Sequence, residues 1–185
     1  MMRVISGYLK GRNILGYNIN GTRPTMDRVK ESMFASIQDY IDNSTILDLF
    51  CGTGSLGIEA ISMGASKCYF VDNGKEIVKC LNKNIDNMNI KDKSIILNKD
   101  YREALLYFKN NNIKFNIILV DAPYKMEVME EVIELVTKYD LLLDNGILLL
   151  EYSFDKLKDK YNNLELIKSK KYSDKYVNIY RKIID

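Results

Sequence analysis

Histidine is absent from this chain of 185 residues, and only three cysteines are present. Without histidine, the Ser-His-Asp and Cys-His forms of nucleophilic catalysis are excluded, as are most zinc sites. The chemistry must therefore use carboxylates, backbone groups, aromatic rings or a cofactor, and no metal is expected. The cysteines form no C-x-x-C pair, so we expect a reducing, cytoplasmic setting rather than a disulfide framework. They are Cys51, Cys68 and Cys80.

Long apolar runs are also absent. No stretch reaches the roughly 18 residues that a membrane span requires, and the first twelve residues lack the apolar core of a signal peptide. The hydrophobic content of 46% and the charged content of 28% are typical of a globular domain. The length indicates one domain, with room for a small appendage.

Charge is nearly balanced, at a net +2, but it is unevenly distributed. Residues 1–30 contain a single acid, Asp27, against six basic residues: Arg3, Lys10, Arg12, Arg23, Arg28 and Lys30. A second basic group near the C-terminus contains Lys168, Lys170, Lys171 and Lys175. Basic patches suit a polyanionic partner. A solvated surface explains the second group equally well, whereas the arginine-bearing first group favours the partner.

Strand and helix patterns alternate from Thr45 onwards. Five apolar runs separated by helical patterns predict five strands, and residues 164–184 predict two more around a turn at Ser173. The runs are TILDLF, KCYFVD, SIILNKD, FNIILVD and GILLLEY. Continuous apolar runs are typical of parallel strands buried on both faces. The alternation predicts a doubly wound α/β fold over residues 23–185.

The N-terminal residues precede this pattern. Residues 1–22 contain short alternating pieces broken by glycines, which predict a small β-hairpin extension without a core of its own. The following segment, TRPTMDRVKESMFASIQDYI, predicts a helix with Thr25 as its N-cap and Asp27 in its first turn. Glu31 is expected to form an ion pair with Arg28 or Lys30.

An acidic residue ends each of the first four predicted strands. Ligands of doubly wound sheets lie beyond the carboxyl ends of the strands, so these acids should converge on one site. They are Asp48, Asp72, Asp100 and Asp121.

The stretch DLFCGTGSLG contains the pattern G-x-G-x-x-G at Gly52, Gly54 and Gly57. Taken alone, the pattern is weak evidence for a nicotinamide or flavin loop that holds a pyrophosphate at a helix N-terminus. Asp48 would repel a pyrophosphate, but it would attract the ammonium of S-adenosylmethionine (AdoMet), whose sulfonium is also positive. Asp72 lies twenty residues after Gly52 and suits the ribose of either cofactor.

The stretch VDAPYK follows the fourth strand. The side chain of Asp121 and the carbonyl of Ala122 can accept hydrogen bonds from one amino group, and Pro123 restrains Ala122. Tyr124 can stack on a flat base. The motif predicts a clamp for the exocyclic amine of a nucleobase. Taken alone, it is equally compatible with a strand-ending turn that buries a tyrosine.

These motifs together resemble a known family. DLFCGTGSLGIEA followed by DAPY is similar to AdoMet-dependent amino-methyltransferases with D/N-P-P-Y/F motifs. RVISGYLKGRNI and TRPTMDRVKESMF resemble the RsmD-type 16S ribosomal RNA (guanine-N2)-methyltransferases, and the similarity covers nearly the whole chain. The resemblance implies a Rossmann-like, seven-stranded AdoMet-dependent methyltransferase fold. Ala122 replaces the family's usual proline, which keeps the carbonyl acceptor but loses rigidity.

The resemblance also implies roles for individual residues. Cofactor contacts fall on Asp48, Cys51, Gly52, Gly54, Asp72, Asp100 and Tyr101. Asp72 would bind the ribose and Asp100 the adenine amine, while Cys51 has no catalytic role. The catalytic motif is Asp121, Ala122, Pro123 and Tyr124, and the RNA contacts are Arg3, Lys10, Arg12, Arg23, Thr25 and Arg28. The implied partner of this monomer is 16S rRNA, free, in the small ribosomal subunit or in an assembly intermediate, and no membrane is involved.

Three alternatives stay open. An adenine-N6 methyltransferase acting on DNA or another RNA would present the same acceptors to an amine. An NAD-dependent oxidoreductase is disfavoured by Asp48, and a binding module with a degenerate pocket is disfavoured by the intact set of acids. Tyr8 is expected either to stack on RNA or to pack against the domain.

Overall fold

One eight-stranded sheet organises the chain. The computed structural model describes residues 2–16, 23–122, 126–153 and 156–184. The strands of this sheet are β3 Thr45–Leu49, β4 Lys67–Asp72, β5 Ser94–Asn98, β6 Phe115–Asp121, β7 Leu142–Tyr152, β8 Lys160–Tyr161, β9 Leu164–Tyr172 and β10 Lys175–Lys182. They lie in the order β5-β4-β3-β6-β7-β10-β9-β8.

The five apolar runs form the parallel part of this sheet, and the C-terminal strands extend it antiparallel. The doubly wound α/β fold predicted from the sequence is therefore confirmed. The seven expected strands are present in the described residues. The sheet also contains an eighth strand that the sequence did not predict, the two-residue strand β8 at its edge.

In the described residues, five α-helices cover the two faces of the sheet. They are α1 Arg23–Ile37, α2 Ser55–Ser62, α3 Lys75–Asn87, α4 Tyr101–Asn110 and α5 Met126–Lys138. Helices α1, α2 and α3 bury their apolar side chains in a core on one face of the sheet, the α1 face. Helices α4 and α5 bury theirs on the opposite face, the α4 face. None of these helices is long and apolar enough to cross a membrane.

Helix α1 begins earlier than the sequence predicted. It starts at Arg23, so Thr25 lies inside the first turn and is not the N-cap, and Asp27 lies beyond that turn. Pro24 explains the difference, because a proline is well tolerated in the first turn, where its missing N–H has no intrahelical partner.

The N-terminal segment packs against α2. Strands β1 (Met2–Arg3) and β2 (Asn13–Ile14) form an antiparallel pair, and the intervening turn contacts α2 where Tyr8 N donates to Ser62 O at 3.0 Å. Gly7 permits this contact, because its φ is +79° and a Cβ would lie 1.9 Å from Ser62 O. Four apolar side chains of the segment, Met2, Val4, Leu9 and Ile14, join the core of the α1 face. The expected boundary at residue 22 falls outside the described residues.

A buried ion pair fixes this segment to two helices. The carboxylate of Glu59 accepts hydrogen bonds from Ile5 N at 3.1 and 3.0 Å and from Ser6 N at 2.7 Å. Lys30 Nζ lies 3.2 Å from Glu59 Oε2 and donates to Arg3 O at 2.7 Å. Burial lowers the pKa of Lys30, and Glu59 counteracts that effect. Lys30 therefore pairs with Glu59, so of the two partners expected for Glu31, Arg28 alone stays a prediction.

Glu59→Ala should destabilise the fold by about 3–5 kcal/mol, because it leaves a buried ammonium and two backbone N–H groups without their acceptor. Denaturant unfolding followed by circular dichroism measures the change. Glu165→Ala is the matched control, since Glu165 is exposed and should cost less than about 0.5 kcal/mol. Equal losses for the two variants would contradict this role of Glu59.

Candidate active site at the carboxyl ends of the strands

A cavity of about 1170 Å³ opens at the carboxyl ends of β3, β4, β6 and β7. Three of the four predicted acids at its wall, Asp48, Asp72 and Asp121, come directly from strands. By strand register these three side chains share the α1 face with the apolar core below them. The volume exceeds the range of roughly 300–1,000 Å³ common for a single small-molecule site. It leaves space for a cofactor and a second ligand.

The glycine loop connects β3 to α2 along this wall. Phe50, Gly52 and Gly54 have positive φ values of 61°, 55° and 95°. Gly54 is the N-cap of α2, and a Cβ there would lie 2.5 Å from Leu81 Cδ1. A glycine cap offers no side-chain acceptor, so the free N–H groups of the first helical turn need one from elsewhere.

Asp48 supplies that acceptor. Its Oδ2 accepts a hydrogen bond from Gly57 N, in the first turn of α2, at 2.9 Å. Burial raises the pKa of Asp48 to about 8, against the lowering effect of the Gly57 bond, and Asp121 and Asp72 raise it further. A cation beside this carboxyl would favour its ionised form.

Asp72 holds the opposite side of the loop. Its Oδ2 accepts from Gly52 N at 3.0 Å and its Oδ1 accepts from Gly74 N at 2.9 Å. A carboxylate offers about four lone-pair sites, so each oxygen keeps the capacity to accept a hydroxyl. The expected ribose contact is compatible with this geometry and stays a prediction.

The next wall comes from the start of α4. Asp100 caps this helix, since its Oδ1 accepts from Arg102 N at 2.9 Å. The buried ring of Tyr101 lies 5.2 Å from that of Phe50, between centroids, and its hydroxyl donates to Glu131 Oε2 at 2.5 Å. Burial, aided by Glu131, raises the pKa of Tyr101 to about 12. The two rings, tilted 48° to each other, give this part of the cavity an aromatic, apolar wall.

Asp121 ends β6, and Ala122 follows it into the cavity wall. The Asp121 side chain is exposed to the cavity, yet surrounding protein raises its pKa to about 7. Glu151 on β7 raises that pKa further, while Lys175 on β10 lowers it. The rest of the predicted motif, Pro123 and Tyr124, falls outside the described residues.

Glu151 and Lys175 belong to the cavity wall, but the sequence did not identify them as site residues. Glu151 is buried, and its Oε1 accepts from Lys175 Nζ at 2.8 Å. Glu151 had the same local signal as the four aspartates, an acid at the end of an apolar run. Lys175 had none, because its position depends on the pairing of β10 with β7.

The predicted RNA contacts divide into two groups. Arg3 and Arg28 are exposed near the cavity, where Met2, Met26 and Val29 form part of its wall. Lys10 lies in the turn that contacts Ser62, at the end of α2 away from the cavity. An eight-residue helix spans about 12 Å, so a large ligand that contacted both groups would do so at different places.

The other N-terminal residues complete the second group. Arg12 is exposed, and its guanidinium donates to Asn87 O, at the end of α3, at 2.5 Å. Tyr8 is 61% exposed, with Lys93 Nζ 5.3 Å from its ring centroid, so the ring does not pack into the domain. The side chains of Arg23 and Thr25 are not among those described. Cys51 is buried.

The fold and the cavity match those of known proteins. The model of the family described as conserved hypothetical protein 95 matches residues 2–181. The chain belongs to this family. The Haemophilus influenzae ribosomal RNA small subunit methyltransferase D is 32% identical over 91% of the chain and 88% of its own length. The RsmD-type membership expected from the motifs is thus confirmed.

Two further comparisons agree. YlbH of Bacillus subtilis, provisionally named an rRNA methyltransferase, is 34% identical over 98% of the chain and 99% of its own length. The solved structure of yhhF from Escherichia coli, provisionally described as a methyltransferase, is 26% identical. The two structures superpose over 100% of the chain described here and 99% of the yhhF chain, with a TM-score of 0.86. The chain therefore shares the Rossmann-like fold of this structure over its whole length.

AdoMet fits the donor set of this cavity. Asp48 would offer negative charge to its ammonium, Asp72 would offer acceptors to its ribose, and the aromatic wall of Phe50 and Tyr101 would border its adenine. The carboxyls of Asp48, Asp72 and Asp121 at one wall would repel a pyrophosphate, whereas a cationic ligand would be attracted to them. The NAD alternative therefore finds no support in the described wall of this cavity.

AdoMet affinity should rise by at least about tenfold between pH 6 and pH 8, because binding ionises Asp48 and releases its proton. Isothermal titration in buffers of different ionisation enthalpy measures both the affinity and the protons released. Asp48→Asn should lose this pH dependence, whereas Asp121→Asn should retain it. The same affinity at both pH values would contradict the assignment of Asp48 to the cation.

Proposed function

We propose that this protein transfers a methyl group from AdoMet to the exocyclic N2 amine of a guanine in small-subunit (16S) rRNA. One observation carries the proposal: the acceptor pair of Asp121 and Ala122 borders the same cavity as the glycine loop and its acids. Both ligands of a methyl transfer can thus meet in one space. The names of the family's curated members support the RNA substrate.

The residues at the end of β6 would position the amine. An aryl amine is a weak nucleophile, because its lone pair is delocalised into the ring. Two hydrogen bonds, to the Asp121 carboxylate and the Ala122 carbonyl, favour a pyramidal nitrogen whose lone pair is directed at the methyl group. Positioning of this kind can offset on the order of 7–11 kcal/mol of a barrier.

Bound AdoMet supplies a methyl group on a positively charged sulfur. The nitrogen–carbon bond forms as the carbon–sulfur bond breaks, and positive charge passes to the nitrogen. Asp121 stabilises that charge. The nitrogen then loses one proton, to water or to the Asp121 carboxylate, whose pKa of about 7 makes it a competent acceptor near neutral pH.

The substrate base lies in structured RNA, so it must be turned out of its stack to enter the cavity. The exposed basic residues of the N-terminal segment and α1 would hold the flanking phosphates. We place this reaction in the cytoplasm, on naked rRNA, the small subunit or an assembly intermediate, with the protein as a monomer.

The adenine-N6 reaction is the competing function, because its amine could use the same pair of acceptors. The two reactions separate in one experiment. Labelled AdoMet should transfer its methyl group to unmethylated small subunits or to 16S rRNA, and nuclease digestion should recover the label as N2-methylguanosine. Label recovered as N6-methyladenosine, or only in duplex DNA, would overturn the proposal.

Asp121→Ala provides the catalytic control for this experiment. Turnover should fall by at least about a hundredfold, while the affinity for S-adenosylhomocysteine stays within about twofold, because the residue acts on the amine. Asp92→Ala, which removes an exposed carboxylate from another part of the surface, should keep full turnover. Survival of turnover in Asp121→Ala would place the amine elsewhere.

Lys10→Gln and Arg28→Gln should each weaken RNA binding in a salt-dependent way. Each lost phosphate contact should reduce the slope of log K against log salt by about 0.7–0.9. Filter binding of 16S rRNA fragments across a salt series measures the slope. Lys109→Gln on α4 is the matched control, because it removes an exposed lysine from the α4 face. Slopes equal to that of the unmodified protein would exclude these two residues from the RNA interface.

A further inference from the structure

We propose that Lys175, Glu151 and Asp121 form a row that reads the Watson–Crick edge of guanine and rejects adenine. The inference rests on the proposed function and deepens it. It assigns the choice of base to the side chains beside the amine clamp, including two that the sequence motifs did not contain.

Strand register creates the row. Asp121 on β6 is the direct register partner of Glu151 on β7. Glu151 in turn pairs with Val177 on β10, and Lys175 lies two residues before Val177, so its side chain emerges on the same face. The three side chains therefore follow one another across three neighbouring strands, in the order Asp121, Glu151, Lys175.

All three side chains reach the cavity. Only 9% of the Glu151 side chain is exposed, whereas 42% of the Lys175 side chain is exposed. The ammonium of Lys175 donates to Glu151 Oε1 at 2.8 Å. A buried carboxylate at a ligand cavity is costly unless all its partners are present, and Lys175 occupies part of its accepting capacity. The remaining capacity suits a donor on the bound base.

The order of donors and acceptors matches guanine. The Watson–Crick edge of guanine presents O6 as an acceptor, N1–H as a donor and the N2 amine as a donor. The row presents the complement: an ammonium donor from Lys175, a carboxylate acceptor from Glu151 and a carboxylate acceptor from Asp121. Placing the N2 amine at Asp121, where methyl transfer requires it, leaves N1–H for Glu151 and O6 for Lys175.

Adenine presents the wrong order. Its amine could reach Asp121, but the neighbouring N1 is an acceptor, and its lone pair would face the Glu151 carboxylate. The buried carboxylate would then lack a donor, which is the kind of mismatch that lets polar sites reject analogues strongly. The acceptor pair of Asp121 and Ala122 alone cannot make this distinction, because both purines can offer it an exocyclic amine.

A base analogue isolates the contribution of the row. In 2,6-diaminopurine the 2-amino group is kept, N1 becomes an acceptor, and O6 becomes an amine. The guanine labelled by the unmodified protein is mapped first, and small subunits are then reconstituted with diaminopurine at that position. The unmodified protein should methylate the guanine substrate at least about a hundredfold faster, in kcat/KM, than the diaminopurine substrate.

Glu151→Gln should reduce this preference by at least about tenfold, because the amide can also donate to N1. Lys175→Met should lower kcat/KM for guanine more than for diaminopurine, and Lys175→Arg should restore most of the preference. Thermal melting and S-adenosylhomocysteine binding verify that each variant is folded. Glu165→Gln and Lys109→Met, which alter exposed residues outside the cavity wall, should leave the preference unchanged.

The outcomes separate this inference from the proposed function. Rapid methylation of guanine together with equal use of diaminopurine would show that the row does not select the base, and it would leave the proposed function intact. A folded Glu151→Gln variant with an undiminished preference also overturns the row. An absence of guanine methylation under every condition overturns the proposed function itself.

Discussion

A buried carboxylate, that of Glu59, controls how the first third of the chain meets the sheet. Its charge is stable inside the protein only if donors surround it, and those donors come from separate segments: two backbone N–H groups near Ile5 and the ammonium of Lys30. Lys30 also donates to Ser55 at the start of α2, at 3.1 Å. The wall that α1 contributes to the cavity is therefore fixed relative to the glycine loop. A mobile α1 would leave the space between cofactor and substrate undefined, so the ion pair that anchors α1 also sets the shape of the cavity.

The acids at the strand ends place opposite demands on stability and function. Asp48 and Asp121 lie on one face of the sheet and raise each other's cost of ionisation, which burial already makes high. A sheet selected for stability alone would carry neutral residues there. A ligand with two positive groups relieves the repulsion as it binds. The carboxyls that lower the stability of the empty fold therefore raise its affinity for a cation. Lys175 relieves the same repulsion from the substrate side of the cavity.

Local sequence patterns predicted the features whose causes are local. The strand-helix alternation, the glycine loop and the four strand-end aspartates follow from periodicity and from residue types with restricted backbone geometry. The start of α1 was misplaced because Pro24 and Thr25 compete as signals for the same boundary. The partner of Lys30 and the position of Lys175 were not predictable, because both depend on contacts between distant segments. For Lys175 the decisive fact is which residues of β10 pair with β7, and the sequence of either strand allows several registers.

Strand register also explains how one fold can read a base without a dedicated recognition loop. Asp121 and Glu151 lie at equivalent heights on neighbouring strands about 4.8 Å apart, and Lys175, two residues along β10 from the partner of Glu151, reaches Glu151 with its long side chain. Such a row can hold a fixed order of donors and acceptors, because the backbone ladder prevents the order from changing. Lys175, the first residue of β10, preserves that order in a second way. Its positive charge lowers the pKa of Asp121 and so disfavours protonation of that carboxylate, and a protonated carboxyl would offer a donor where guanine requires an acceptor. The ion pair thus keeps the row complementary to one base, and the fixed register keeps that base aligned with the methyl donor.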